Sequence, residues 1–134
     1  MATRRILLGN AVRLGVLGLA TAGLAACNRA APVYNVSSSS FTGSGSLAQR
    51  SIQIKRAGAG LNWVMEDEGP GRVRGTLNRR SHQAIVLIFF DTNSFSIQYE
   101  SSTNLNYDGA SIHRNYNGWV QELQQAITAQ SALP

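Results

Sequence analysis

Two histidines, one cysteine and a dense set of serines are the side chains with the most chemistry to offer in this 134-residue chain. His82 and His113 are the only imidazoles. With Asp91 or Asp108 they would make a metal set, but no two ligands stand at i, i+4 or as an HxxxH pair. One cysteine and two histidines cannot build a Cys-rich zinc site, and Cys27 has no internal disulfide partner. No serine lies in a GxSxG or SxxK arrangement, so no activated nucleophile is expected. Gly43-Ser44-Gly45 and Gly58-Ala59-Gly60 lack both the strand-then-helix setting and the lysine of a phosphate loop. The acidic stretch Glu66-Asp67-Glu68-Gly69-Pro70-Gly71 has no calcium-loop spacing and reads as a solvated hairpin turn. These exclusions point away from an enzyme, and they imply no cofactor and no metal.

Structural roles fit both histidines better. His82 opens a strand beside Arg79 and Arg80, and His113 stands just before the final helix, where it can satisfy free amides. Arg72, Arg74, Arg79 and Arg80 form a basic strip on one strand and its exit turn. It reads first as a solvated face and second as a contact for anionic headgroups or glycan phosphates. Trp63, Tyr99, Tyr107, Tyr116 and Trp119 fall at strand and helix spacings that suit a core. The formal charge of +5 suggests nucleic acid until it is divided. Arg4, Arg5 and Arg13 belong to the first 26 residues, which leaves nine cations against seven anions. Such a balance is an ordinary surface, and no nucleic-acid partner is expected.

The opening MATRRILLGNAVRLGVLGLATAGLAAC has a basic start, a glycine-diluted apolar stretch and a small-residue end. Leu14 to Ala26 is uncharged but shorter than the ~20 residues a membrane-spanning helix needs. A cleaved export signal over 1–26 is the expectation. Leu24-Ala25-Ala26-Cys27 resembles the bacterial lipobox, which implies lipidation of the Cys27 thiol (palmitate-type chains), cleavage before Cys27 and acylation of the new amino terminus. Several acyl chains anchor stably, where one gives only marginal binding. Asn28 is not the aspartate of inner-membrane retention, so the resemblance favours the outer membrane, facing the periplasm. Thr3-Arg4-Arg5-Ile6-Leu7-Leu8 also looks like a twin-arginine motif, and Sec export stands beside it.

Behind the cysteine, residues 27–45 read as a lipidated start and a flexible tether, because Ser37 to Ser40 and Gly43-Ser44-Gly45 offer little apolar area to bury. Tyr34, Val36 and Phe41 are the residues there able to dock on a domain. Residues 46–134 then read as a small α+β domain. A helix is expected over Ser46–Gly58, with Leu47, Ser51, Ile54 and Gly58 on one stripe, widened by Ile52. Strands follow at Leu61–Met65, Arg72–Asn78, Ala84–Phe90 and Ser94–Glu100, with turns too short for anything but antiparallel neighbours. A closing helix from Arg114 to Ala129 places Tyr116, Trp119, Val120, Leu123 and Ile127 on one face. The expected fold is a two-layer sandwich, a four-stranded antiparallel meander flanked by an N-terminal and a C-terminal helix. The strand 84–90 is apolar on both faces, so Ile85, Leu87 and Phe89 on an outer face would call for a protein partner or a homodimer.

Arg80-Ser81-His82-Gln83-Ala84, Phe95-Ser96-Ile97-Gln98-Tyr99, Asn104-Leu105-Asn106-Tyr107 and Ile112-His113-Arg114-Asn115-Tyr116-Asn117-Gly118-Trp119 resemble a family of small proteobacterial envelope lipoproteins. The resemblance spans most of Ser46 to Ile127. It implies lipoprotein character and no site residue beyond Cys27. The functional expectation is therefore a lipid-anchored periplasmic accessory or binding protein of the cell envelope, membrane-bound through Cys27 and without catalytic activity. A small-ligand or metal-binding lipoprotein is the alternative.

Overall fold

The computed structural model describes residues 29–134. The signal segment 1–26 and Cys27 lie outside the described residues. Seven strands and two helices follow in the order β1 (Ala30–Pro32), β2 (Val36–Ser40), α1 (Leu47–Gly60), β3 (Trp63–Asp67), β4 (Arg72–Arg79), β5 (His82–Phe90), β6 (Ser94–Thr103), β7 (Ser111–His113) and α2 (Arg114–Ser131). A five-stranded sheet runs β2-β6-β5-β4-β3, and β1 pairs with β7 in a separate two-stranded sheet. The class is α+β, as the residue patterns indicate, and β3 to β6 form the antiparallel meander. The sheet has a fifth strand that the pattern did not show.

That fifth strand corrects the tether. Val36–Ser40 pairs antiparallel with β6 along the register Val36↔Ile97, Ser39↔Phe95 and Ser40↔Ser94, with an irregularity between Val36 and Ser39. Its serines are tolerable because an edge strand has backbone partners on one side only, and Val36 and Phe41 bury the apolar share at 4% and 8% exposure. Val33 N–H also donates to the Ala110 carbonyl at 3.1 Å, so ordered chain begins well before residue 46. The compact unit runs from Ala31 to Pro134.

The strand patterns explain the core. Val73, Gly75 and Leu77 of β4 face the helix side with Ala84, Val86 and Ile88 of β5 and with Phe95 and Ile97 of β6. Trp63 of β3, Ile54 and Ala57 of α1, and Tyr116, Trp119, Val120, Leu123 and Ile127 of α2 complete one cluster. Ser46 starts α1 with a reciprocal cap: its hydroxyl accepts from Gln49 N–H at 3.2 Å, and Gln49 Oε1 accepts from Ser46 N–H at 2.7 Å. The buried stripe of α1 is Arg50, Gln53, Ile54, Ala57 and Gly58, rather than one widened by Ile52, which is 51% exposed.

The outer face carries Ile85, Leu87 and Phe89, as the alternation requires. Leu87 sits between Arg74 and Gln98 and is only 7% exposed. Arg72 lies over the Phe89 ring, 5.3 Å from its centroid. Long flanking side chains thus shelter the row with their aliphatic stems.

Candidate functional site

The β4–β5 hairpin builds a polar concavity. Inward alternation along β4 (Val73, Gly75, Leu77) continues to Arg79, which lands where the helix layer presents Trp119. The Arg79 guanidinium lies 5.9 Å from the Trp119 ring centroid. The chain then reverses through Arg80, whose φ of 56° is uncommon for a side chain with a Cβ. Asn104, itself at φ 58°, secures the turn by donating from Nδ2 to the Ser81 carbonyl at 2.9 Å. Arg79, Arg80, His82, Asn115 and Trp119 line a cleft of about 310 Å³ here.

His82 is fixed at one nitrogen. Its Nδ1 stands 2.7 Å from the Asn104 carbonyl oxygen, which can only accept, so Nδ1 carries the proton. The ring also packs against Trp119, with centroids 6.4 Å apart. His113 serves the helix instead. Its Nδ1 accepts from Asn115 N–H at 3.2 Å, capping α2 as the sequence suggests, and the His113 backbone N–H donates to the Leu105 carbonyl at 2.8 Å. The two imidazoles are tied to different backbone groups, and only His82 lines the cleft.

The carboxylates weighed as metal partners are engaged in turns. Asp91 Oδ1 accepts from the amides of Ser94 at 2.8 Å and Asn93 at 2.7 Å, and these bonds hold its carboxyl below the usual carboxylate range. Asp108 Oδ1 accepts likewise from Ser111 at 2.7 Å and Ala110 at 3.0 Å, with the same direction of shift. Among the described residues no three His, Cys, Asp or Glu side chains gather as a metal set.

The basic strip divides in space. Arg74 on the outer face pairs with Glu68, Nε to Oε1 at 2.9 Å. Arg72 shares that face, over Phe89, while Arg79 points to the helix side. The acidic turn that ends β3 is used as well: Lys55 Nζ lies 2.7 Å from Asp67 Oδ2. Among the described residues, Arg79 and Arg80 make no ion pair.

No family model, no curated protein and no solved structure matches the chain. Function therefore rests on the residues themselves.

Two buried features were missed by sequence reasoning. Arg50 is fully buried and meets no carboxylate. Its Nη2 donates to the Gly43 carbonyl at 2.6 Å, Nε to Thr92 at 3.0 Å, and Nη1 to Gln53 Oε1 at 3.0 Å and the Ser131 carbonyl at 3.3 Å. Phe41 stacks beneath it, 4.4 Å from the guanidinium carbon. This arginine is a clasp rather than a reactive group. Tyr116, counted as core, carries a buried hydroxyl without a hydrogen-bond partner. Burial pushes its phenol upward, with smaller contributions from Tyr99 and Tyr107. Tyr99 stacks on Tyr107 at 4.1 Å and meets Tyr116 edge-on at 5.6 Å.

Proposed function

We propose that the protein is a lipid-anchored accessory or binding protein of the bacterial cell envelope, held by acyl chains on Cys27 and without catalytic activity. The observation that carries this reading is Leu24-Ala25-Ala26-Cys27, placed where an apolar export segment ends and four residues before the compact unit begins at Ala31. Among the described residues no helix is long and apolar enough to cross a membrane. Several acyl chains on one cysteine would anchor the protein stably. Asn28 favours the outer membrane, with the domain in the periplasm. The non-enzymatic part is supported by the use of both histidines and of Asp91 and Asp108 in caps and turns. A protein partner or a second copy would dock on the outer sheet face, where Ile85 and Phe89 are half-buried beside Leu87.

The decisive experiment is Cys27→Ser in the full chain, expressed in a bacterial host with a fatty-acid probe. The wild type is expected to be labelled and to partition into detergent; the variant is expected to do neither. Equal labelling of both proteins would overturn the reading. The small-ligand alternative has one specific support, the cleft beside Trp119.

A further inference from the structure

We propose that the cleft lined by Arg79, Arg80, His82, Asn115 and Trp119 binds the phosphate of an anionic phospholipid headgroup in the membrane that holds the anchor. The inference rests on the lipidation of Cys27.

Reach is the first argument. Asn117, in the first turn of α2, donates from Nδ2 to the Pro32 carbonyl at 2.8 Å, and its Oδ1 accepts from Tyr34 N–H at 2.9 Å. The chain therefore enters the domain at the first turn of α2, which also supplies Asn115 to the cleft. Cys27 is five residues before Pro32, a contour of at most about 18 Å. An acylated Cys27 would hold this end of the domain close to the headgroup layer, with no long tether to let it turn away.

Charge is the second. Arg79 and Arg80 are exposed and, among the described residues, unpaired, while Lys55 and Arg74 are neutralised by Asp67 and Glu68. A planar guanidinium pair matches phosphate oxygens. Arg80 is presented from a backbone conformation costly to a side-chain-bearing residue, and such strain gathers at binding sites. His82, its Nδ1 proton fixed on Asn104, leaves Nε2 as an acceptor suited to a headgroup hydroxyl rather than to the phosphate, and the Asn115 side chain adds an amide. Trp119, only 9% exposed, backs the cleft with an indole against which Arg79 and His82 lie. The opposing charge is Glu122, which shares the adjoining depression with Arg79 but does not reach ion-pair distance.

The test uses the full mature lipoprotein in neutral detergent micelles, titrated with short-chain phosphatidylglycerol, short-chain phosphatidylcholine or inorganic phosphate. Chemical shifts of the Trp119 indole and the Arg79 and Arg80 Nε–H groups are followed by NMR. Saturable shifts with phosphatidylglycerol are expected, with phosphatidylcholine and phosphate far weaker. Arg80→Gln is expected to weaken binding about fivefold, and the Arg79→Gln/Arg80→Gln pair about 30-fold, from ~1 kcal/mol per basic residue at an anionic surface. Unchanged α1 resonances identify folded variants, and Arg80→Gln alone lies in an exposed turn outside the core. Equal response to phosphatidylcholine, no response, or undiminished binding by Arg80→Gln overturns the proposal. Inorganic phosphate binding as tightly as the lipid overturns the headgroup assignment. Mass spectrometry of the same sample reports acylation at Cys27, so failure of the anchor is read separately from failure of the cleft.

Discussion

Arg50 and Ser131 stand 81 residues apart in the chain, and the Arg50 guanidinium donates to the Ser131 carbonyl at 3.3 Å. The contact places a buried cation at the C-terminal end of α2, where unpaired carbonyls concentrate negative charge. The same side chain holds Gly43 before α1 and Thr92 in the β5–β6 turn. One residue thus joins three segments: the β2–α1 loop, the β5–β6 turn and the end of α2.

Removing that clasp should be costly. Arg50→Met strips charged donors from four carbonyls, those of Thr42, Gly43, Thr92 and Ser131, and we expect a loss of roughly 2–4 kcal/mol of unfolding free energy. Arg50→Lys keeps the charge but not the planar fork, so it should fall between the two. Urea midpoints of the three proteins check the order. A methionine variant as stable as wild type would show that the carbonyls find other partners.

Tyr116 leads to the opposite expectation. Its hydroxyl is buried and unsatisfied, so Tyr116→Phe removes a desolvated polar group while keeping the ring against Tyr99. The variant should be at least as stable as wild type at neutral pH, by up to ~1–2 kcal/mol. Because the folded-state pKa lies above the ordinary value of 10.0, the unfolded chain releases this proton first. Wild-type stability should therefore fall as pH rises above about 10, and the phenylalanine variant should fall less. Denaturation series at neutral and alkaline pH separate the two curves.

Acid should act through the turns. Asp91 is lowered chiefly by the Ser94 amide and then by that of Asn93, Asp108 by Ser111 and then Ala110, and Asp67 by its bonds to Lys55 and Ser51. Each contributes stability that is fully present above the unfolded carboxylate value near 3.8 and is lost as pH falls through the lower folded value. Thermal melts from neutral pH down to that window should show a decline confined to its acid end. Asp91→Asn, which keeps the side-chain oxygen in the turn, should make the decline shallower. An unchanged slope would mean that this carboxylate keeps its ordinary value.

Alternation made β4 and β6 readable in order and face, and helical spacing did the same for α2, because each pattern records one nearby buried surface. β5 was readable as a strand, but apolar residues on both its faces left open which one the helices cover. Val36–Ser40 left no such record. Its strand character comes from the open edge of β6 and from two anchors, Val36 and Phe41, on either side of a serine run. Arg50 was hidden for a related reason: a hydrophobic stripe assigns arginine to solvent, and the carbonyls that hold it lie at residues 42, 43, 92 and 131. The cleft was half visible. Arg79, Arg80 and His82 are adjacent in sequence, but Asn115 and Trp119 reach them only when α2 packs on the sheet.

Several bonds that fix the first segment are made by the second helix: Tyr34 to Gln124, Pro32 to Asn117 and Thr42 to Ser131. During synthesis α2 emerges after all five strands of the main sheet, so β2 and the Arg50 pocket stay incomplete until then. Early closure is also disfavoured because long loops must be ordered before such distant contacts reward them. The growing chain thus lacks these closing contacts through most of its translation. Any machinery that requires an extended polypeptide has that interval in which to take hold of it.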